Sequence, residues 1–263
     1  MTRSSSSHKG ENGTVAVIGG SIHQHGAPLL SALGSEASGV DLIYVAVPMP
    51  HAEVAKATCL NFQVHTFGTG NSDLISAADR EKILELLATM DAAVIGPGLN
   101  MTGKNVTSIM ELLEGCPCPV VVDATAIQPK TLRCLTGKQA VITPHLGELE
   151  RMGLKVGELP ETCKKYGCTI LLKGPADTVV SPSGEIRTVD GGNAGLTVGG
   201  TGDALAGIVA GLLAQKENPV AACIAASTAV KKAGDRLRAK KGFAYTAREV
   251  INEIPVLLAT LKE

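Results

Sequence analysis

The chain runs to 263 residues, 44% of them apolar and 19% charged, with a formal net charge of -1. That is enough apolar material for one large α/β domain with a substantial core. Lys and Arg are scattered, aromatic residues make up 2% and Trp is absent, so there is no basic stripe or stacking platform for a nucleic acid and no polybasic patch for a membrane, and a small molecule is the expected partner.

Residues 1–13 are Ser-rich and polar, without the apolar stretch of a signal peptide, and are expected to form a disordered arm ahead of a single domain over 14–263. Short β-branched runs at 15–18 and 42–47 predict strands. A helix follows over 79–90, where Ile83, Leu84, Leu86, Leu87 and Met90 recur at helical spacing. A strand at 92–95, a helix over 106–113 and strands at 120–122, 140–143 and 169–172 continue the alternation. This pattern implies an α/β fold with a mostly parallel central sheet flanked by helices on both faces. Runs at 178–180 and 185–189 flank Ser181-Pro182-Ser183-Gly184 and read as a hairpin. The final third is helical, over 204–215, over 219–238 behind a capping Asn218, and over 247–261 behind Thr246, with Pro255 predicted to kink the last helix.

Seven cysteines, at positions 59, 116, 118, 134, 163, 168 and 223, include no C-x-x-C pair of the kind that builds zinc knuckles or redox motifs, and no run is long enough to span a bilayer. Buried thiols in a reducing, cytoplasmic compartment are expected.

The most informative stretch is the glycine-rich run 191–207, which leads straight into an apolar helix. Bare backbone N–H groups at a helix N-terminus, reinforced by the dipole, form an anion site suited to phosphate. Asp203 falls in that first turn. A carboxylate there is poorly suited to hold the anion, but well placed to take a proton from a hydroxyl that meets a phosphoryl group. The plainer alternative is an acid that complements the dipole beside a tight turn.

Two other segments imitate known loops. Residues 98–105 nearly spell the G-x-x-x-x-G-K-[ST] phosphate loop, but Asn105 stands where a hydroxyl must coordinate Mg²⁺. Val17-Ile18-Gly19-Gly20 opens like a dinucleotide fingerprint, yet the next glycine is Gly26 and the spacing is absent. Four strand-end motifs carry more weight together: Gly96-Pro97-Gly98, Thr143-Pro144-His145-Leu146-Gly147-Glu148, Lys173-Gly174-Pro175-Ala176-Asp177, and the loop Gly199-Gly200-Thr201-Gly202-Asp203. Each is expected to follow a strand directly, so all can share the cleft beyond the carboxyl ends of a parallel sheet. Taken singly, His145 reads as a helix cap, Glu148 as a dipole complement, Lys173 as a solvated edge charge and Pro97 as a rigid turn.

In this ordered set the sequence resembles the ribokinase-like superfamily, and within it the ADP- or ATP-dependent NAD(P)H-hydrate dehydratases, from about Val15 to the C-terminus. The resemblance implies repair of damaged NADH or NADPH, in which a hydrated nicotinamide ring is dehydrated at the expense of a nucleotide phosphate, with ADP or ATP as co-substrate, Mg²⁺, and a homo-oligomeric assembly. It further implies that Ala27, Gly98, His145 and Asp203 hold the hydrate. Lys173, Gly174, Pro175, Ala176 and Asp177, with Gly199, Gly200, Thr201 and Gly202, would bind the nucleotide. Asp203 would be the general base, and Glu148 would organise Mg²⁺-bound water. Two departures stand out: Thr125 replaces the second acid of a Val-x-Asp-Ala-Asp-Ala-Leu pattern, and His23 and His25 stand where small residues are usual. The chain is too short for the epimerase domain fused to many relatives, so a separate protein is expected to supply that step. Other readings are a kinase of a small alcohol, such as a thiazole, a hydroxymethylpyrimidine or a sugar, and a nucleotide sensor without turnover.

Overall fold

Alternating apolar strands and helical segments assemble into one nine-stranded sheet, seen in a computed structural model that describes residues 6–261. The strands are β1 (Thr14–Ile18), β2 (Leu42–Pro48), β3 (Phe62–Phe67), β4 (Ala92–Ile95), β5 (Val120–Val122), β6 (Ala140–Ile142), β7 (Thr169–Leu172), β8 (Asp177–Val180) and β9 (Ile186–Val189). They lie in the order β3-β2-β1-β4-β5-β6-β7-β8-β9. Pairing is parallel from β3 through β7 and antiparallel for β7 with β8 and β8 with β9. The expected hairpin is therefore present, closed at its turn by the Gly184 amide donating to the Ser181 carbonyl at 2.8 Å.

The helices are α1 (Gly26–Ala37), α2 (Ala52–Thr58), α3 (Ala77–Leu87), α4 (Gly103–Gly115), α5 (Thr131–Cys134), α6 (Leu146–Arg151), α7 (Leu159–Tyr166), α8 (Thr201–Ala214), α9 (Pro219–Lys241) and α10 (Ala247–Thr260). Strand periodicity sorts them into two layers. Val15 and Val17 pack into a core with α1, α8, α9 and α10, whereas Ala16 and Ile18 pack into a second core with α3, α4, α6 and α7. Asn218 caps α9 through its side-chain oxygen, and Thr246 forms a capping box with Glu249 at α10, which runs through Pro255 to Thr260 without interruption.

Strand β3 is missing from the sequence reading because its middle residues, Gln63, His65 and Thr66, are polar and its burial is confined largely to Phe62 and Phe67, as suits a sheet edge. The expected arm is described in part. Residues 1–5 lie outside the described residues, and beyond them Asp41 accepts from the Gly10 amide at 2.9 Å and the Asn12 amide at 3.1 Å.

Candidate active site

Seven parallel strands deliver their carboxyl ends to one edge, and the strand order reverses there between β1 and β4. Ligands of open α/β sheets bind at such a switch point. Here the Gly20 amide donates to the Pro97 carbonyl at 2.8 Å, and a Cβ added at Gly19 would overlap that same oxygen. Gly98 is buried at φ +67°, with room for a Cβ only at 3.0 Å from the Ala27 Cβ and 2.8 Å from the Gln24 carbonyl. Glycine is required on both counts, conformation and space. The fold thus brings Ala27 and Gly98 together. Asp73 fastens this corner by accepting from the Ile22 amide at 3.0 Å and the Asn100 side chain at 3.0 Å. Asn105, the residue that spoils the phosphate-loop pattern, is a buried clamp: Oδ1 accepts from the Ile75 amide at 3.0 Å and Nδ2 donates to the Asn100 carbonyl at 2.9 Å.

Asp123, at the end of β5, joins this corner to the rest of the edge. Its amide donates to the Ile95 carbonyl at 3.2 Å, and its own carbonyl lies where a Cβ on Gly96 would be. In the turn that follows, Ala124 has φ +52° and the Thr125 hydroxyl donates to the Leu99 carbonyl at 2.8 Å. A carboxylate cannot make that donation, so the residue that departs from the expected acidic pattern ties the β5 turn to the Gly98 turn.

The charged centre is built from the ends of β5, β6 and β7. Buried Asp123 accepts at Oδ1 from Lys173 Nζ at 2.7 Å and from the Thr143 hydroxyl at 2.8 Å. Lys173 Nζ also lies 3.7 Å from Glu148 Oε2. His145 and Glu148 form a capping box at α6. His145 Nδ1 accepts from the Glu148 amide at 3.2 Å, and Glu148 Oε2 accepts from the His145 amide at 2.9 Å. The cap reading of His145 is thus correct as local structure, while its exposed ring also borders the neighbouring cleft. Burial acts to lower the Lys173 ammonium, but the carboxylates of Asp123 and Glu148 outweigh it and hold the lysine above its ordinary value.

Asp203 sits in the first turn of α8, as expected, behind Gly200 in the left-handed region at φ +97°. Burial, followed by the charge of Asp123, pushes its carboxyl from 3.8 up to about 6; Lys173 pulls the other way and Glu148 adds to the rise. Helix α8 is seated without slack: a Cβ on Gly207 would overlap the Ser31 carbonyl of α1, and one on Gly34 would overlap the Ala204 carbonyl.

A cleft of ≈ 750 Å³ opens between the loops after β7 and β9 and the first turn of α8, large enough for a mononucleotide. Lys173, Gly174, Pro175, Asp177, Thr201 and Gly202 line it, with His145 at one end. Ala176, Gly199 and Gly200 lie outside that lining. Gly200 serves the backbone instead, since a Cβ there would overlap Leu30. The loop at 199–203 does not follow a strand directly, because a 3₁₀ turn over Ala194–Thr197 comes between it and β9. Ala27, Gly98 and Asp203 also lie outside the lining, the first two at the switch point and Asp203 beside the Asp123–Lys173 pair.

Asp123 carried a signal in the sequence, as the first acid of the Val-x-Asp-Ala-Asp-Ala-Leu pattern directly after the apolar run 120–122, though no site role followed from it. Lys231, which lines the cleft from the middle of α9, had none, since it sits in an ordinary helical charge pattern. Among the described residues no group of three or more His, Cys, Asp and Glu side chains is arranged to hold a metal ion.

The family model of NAD(P)H-hydrate dehydratase matches residues 15–256. The ADP-dependent (S)-NAD(P)H-hydrate dehydratase of Nitrosopumilus maritimus is 33% identical over 270 residues, covering 98% of this chain and 92% of that protein. Among solved structures, the ADP/ATP-dependent NAD(P)H-hydrate dehydratase of Bacillus subtilis co-crystallized with ATP/Mg²⁺ is 25% identical with a TM-score of 0.83, covering 98% of this chain and 93% of that one. A ribokinase-like superfamily protein of Enterococcus faecalis gives 26% and 0.83, over 98% and 91%. A sheet of this order and a family match that extends from β1 into α10 lead to one conclusion: the chain belongs to the NAD(P)H-hydrate dehydratase family, on a ribokinase-like fold.

Proposed function

We propose that this protein dehydrates hydrated NADH or NADPH back to the intact cofactor, with ADP or ATP as co-substrate. The observation that carries the reading is Asp203, held at about 6 in the first turn of a helix beside the Asp123–Lys173 pair and next to a nucleotide-sized cleft. At neutral pH its carboxylate is mostly ionised and basic enough to accept a proton as the ring hydroxyl attacks the terminal phosphoryl group. The hydroxyl oxygen bonds to phosphorus, the bond to the nucleotide breaks, and the proton moves to Asp203. Loss of phosphate and of a neighbouring ring proton then restores the conjugated dihydropyridine.

In this reading Ala27, Gly98 and His145 hold the hydrate. Lys173 and Gly174 with Thr201, Gly202 and the α8 amides receive the nucleotide phosphates. Two buried carboxylates flanking Lys173 suit a hard cation that brings its own phosphate and water ligands. Asp123 and Glu148 would hold its water shell, and Mg²⁺ would neutralise charge on the phosphates. The reading also assigns residues 14–263 to one catalytic domain, in a reducing cytoplasm that suits seven free cysteines. Self-association is part of it, with exposed Met101 and Leu146 beside the site as the surface to test. Among the described residues no helix is long and apolar enough to cross a membrane.

The test mixes protein, ADP or ATP, Mg²⁺ and enzymatically hydrated NADH and follows recovery of dihydronicotinamide absorbance. No recovery with either nucleotide overturns the proposal. A stable phosphate ester of a small alcohol would favour the kinase reading instead.

A further inference from the structure

The wall of the cleft opposite α8 is held by one buried ammonium group. Lys231, 5% exposed in the middle of α9, directs Nζ into a ring of oxygens: the Pro175 carbonyl at 2.8 Å, the Gly174 carbonyl at 3.3 Å, the Gly191 carbonyl at 3.4 Å and Asp177 Oδ1 at 3.7 Å. These oxygens come from the β7–β8 connection and from the loop after β9, on either side of the β8–β9 hairpin, and both line the cleft. Asp177 is itself fixed, accepting from the Gly174 amide at 2.8 Å and from the Ser227 hydroxyl of α9 at 2.6 Å. One turn on from Lys231, Asp235 accepts from the Gly192 amide at 3.0 Å and from Asn193 Nδ2 at 3.1 Å. The stem of Lys231 packs so closely on Gly192 that a Cβ there would come within 3.1 Å of it.

Three inward-pointing carbonyls and one carboxylate around a single positive charge make the donor set of a bound monovalent cation, with an ammonium at its centre. Without that charge the carbonyl dipoles and Asp177 would face one another uncompensated, and the two loops would separate. We propose that Lys231 is a positioning residue for the nucleotide, a tethered cation that closes the loops after β7 and β9 into one wall of the nucleotide cleft. This makes nucleotide binding independent of free potassium or ammonium. The inference rests on the cleft being a nucleotide site, so binding rather than turnover is measured.

The experiment titrates ADP and ATP by calorimetry into the wild-type protein and the K231A and K231M variants, each in sodium, potassium, ammonium and tetramethylammonium chloride at one ionic strength. The wild type is expected to bind equally in all four salts. K231A is expected to bind about tenfold or more weakly in sodium and to recover to within about threefold of wild type in potassium or ammonium, whose ions fit the vacated ring. K231M keeps the stem, fills that space and should stay weak in every salt. Wild-type binding that itself requires potassium overturns the proposal, and this arm needs no variant to fold. Folded K231A that binds as wild type in sodium, or that no cation restores, also overturns it. A wild-type protein that binds neither nucleotide in any salt refutes the nucleotide reading of the cleft itself.

Discussion

The Lys173 ammonium and the Asp123 carboxylate meet at 2.7 Å, with only 19% and 3% of their side chains exposed. A pair this dry is strongly interdependent, because removing one partner strands the other's charge away from water. Lys173→Met should therefore destabilise the fold by about 3–5 kcal/mol, and adding Asp123→Asn to it should recover most of that loss. Urea unfolding of the two singles and the double measures the coupling. A double variant no more stable than Lys173→Met would contradict the pairing.

Asp203 gives a pH signature with a definite sign. Its carboxyl titrates at about 6 in the fold against 3.8 for an unconstrained aspartate. Between those values the folded state binds more protons than the unfolded one. Stability contributed by this group therefore falls as pH rises from 3.8 to 6 and stays lower above 6. Asp203→Asn removes that penalty and should raise neutral-pH stability by about 1–2 kcal/mol once solvent screening of a half-buried group is allowed for. The same change should lower turnover by about 10²–10⁴-fold while nucleotide affinity stays within about threefold. In the wild type kcat/KM should rise with pH through a midpoint near 6, and a flat profile over pH 5 to about 8 would remove Asp203 as the base.

Thr125 offers a test confined to the switch-point corner. Thr125→Val keeps the shape but loses the donation to Leu99, at a cost of about 1–2 kcal/mol. The Gly98 turn loosens with it, so KM for the hydrate should rise while nucleotide affinity holds. Equal changes in both would show that the β5 turn serves the whole site rather than this corner.

Gly207 lies one turn along α8 from Asp203, and α8 cannot stay where it is with a side chain there. Gly207→Ala drives a methyl into the Ser31 carbonyl and should cost about 3 kcal/mol or more, visible as a lowered Tm. Because α8 carries Asp203, turnover of the remaining folded protein should fall as well. An unchanged Tm would show that α1 and α8 can separate freely.

Much of this molecule is legible in its sequence because parallel strands buried on both faces read as continuous β-branched runs, as at 120–122 and 169–172. The cap at Asn218 and the capping box at Thr246 are equally local signals. Strand β3 is hidden by its polar middle, and α1 by its glycines: Gly34 is required by contact with Ala204, a residue 170 positions away. At the site, Asp203 and the glycine loop are readable as a helix N-terminus, whereas the ring around Lys231 is closed by three backbone carbonyls, which carry no mark in a sequence. Thr125 shows the same limit. Its hydroxyl could be noted as a departure, but its partner at Leu99 depends on the β4 and β5 turns lying side by side.

The packing of α1 against α8 has a mechanical consequence. The two helices lie side by side in the same direction, Ser31 facing Gly207 and the Ser35 hydroxyl reaching the Gly207 carbonyl at 2.9 Å, with Gly211 one turn further on. Ala27 and Asp203 therefore ride at neighbouring ends of one stiff strut, and any tilt carries both together.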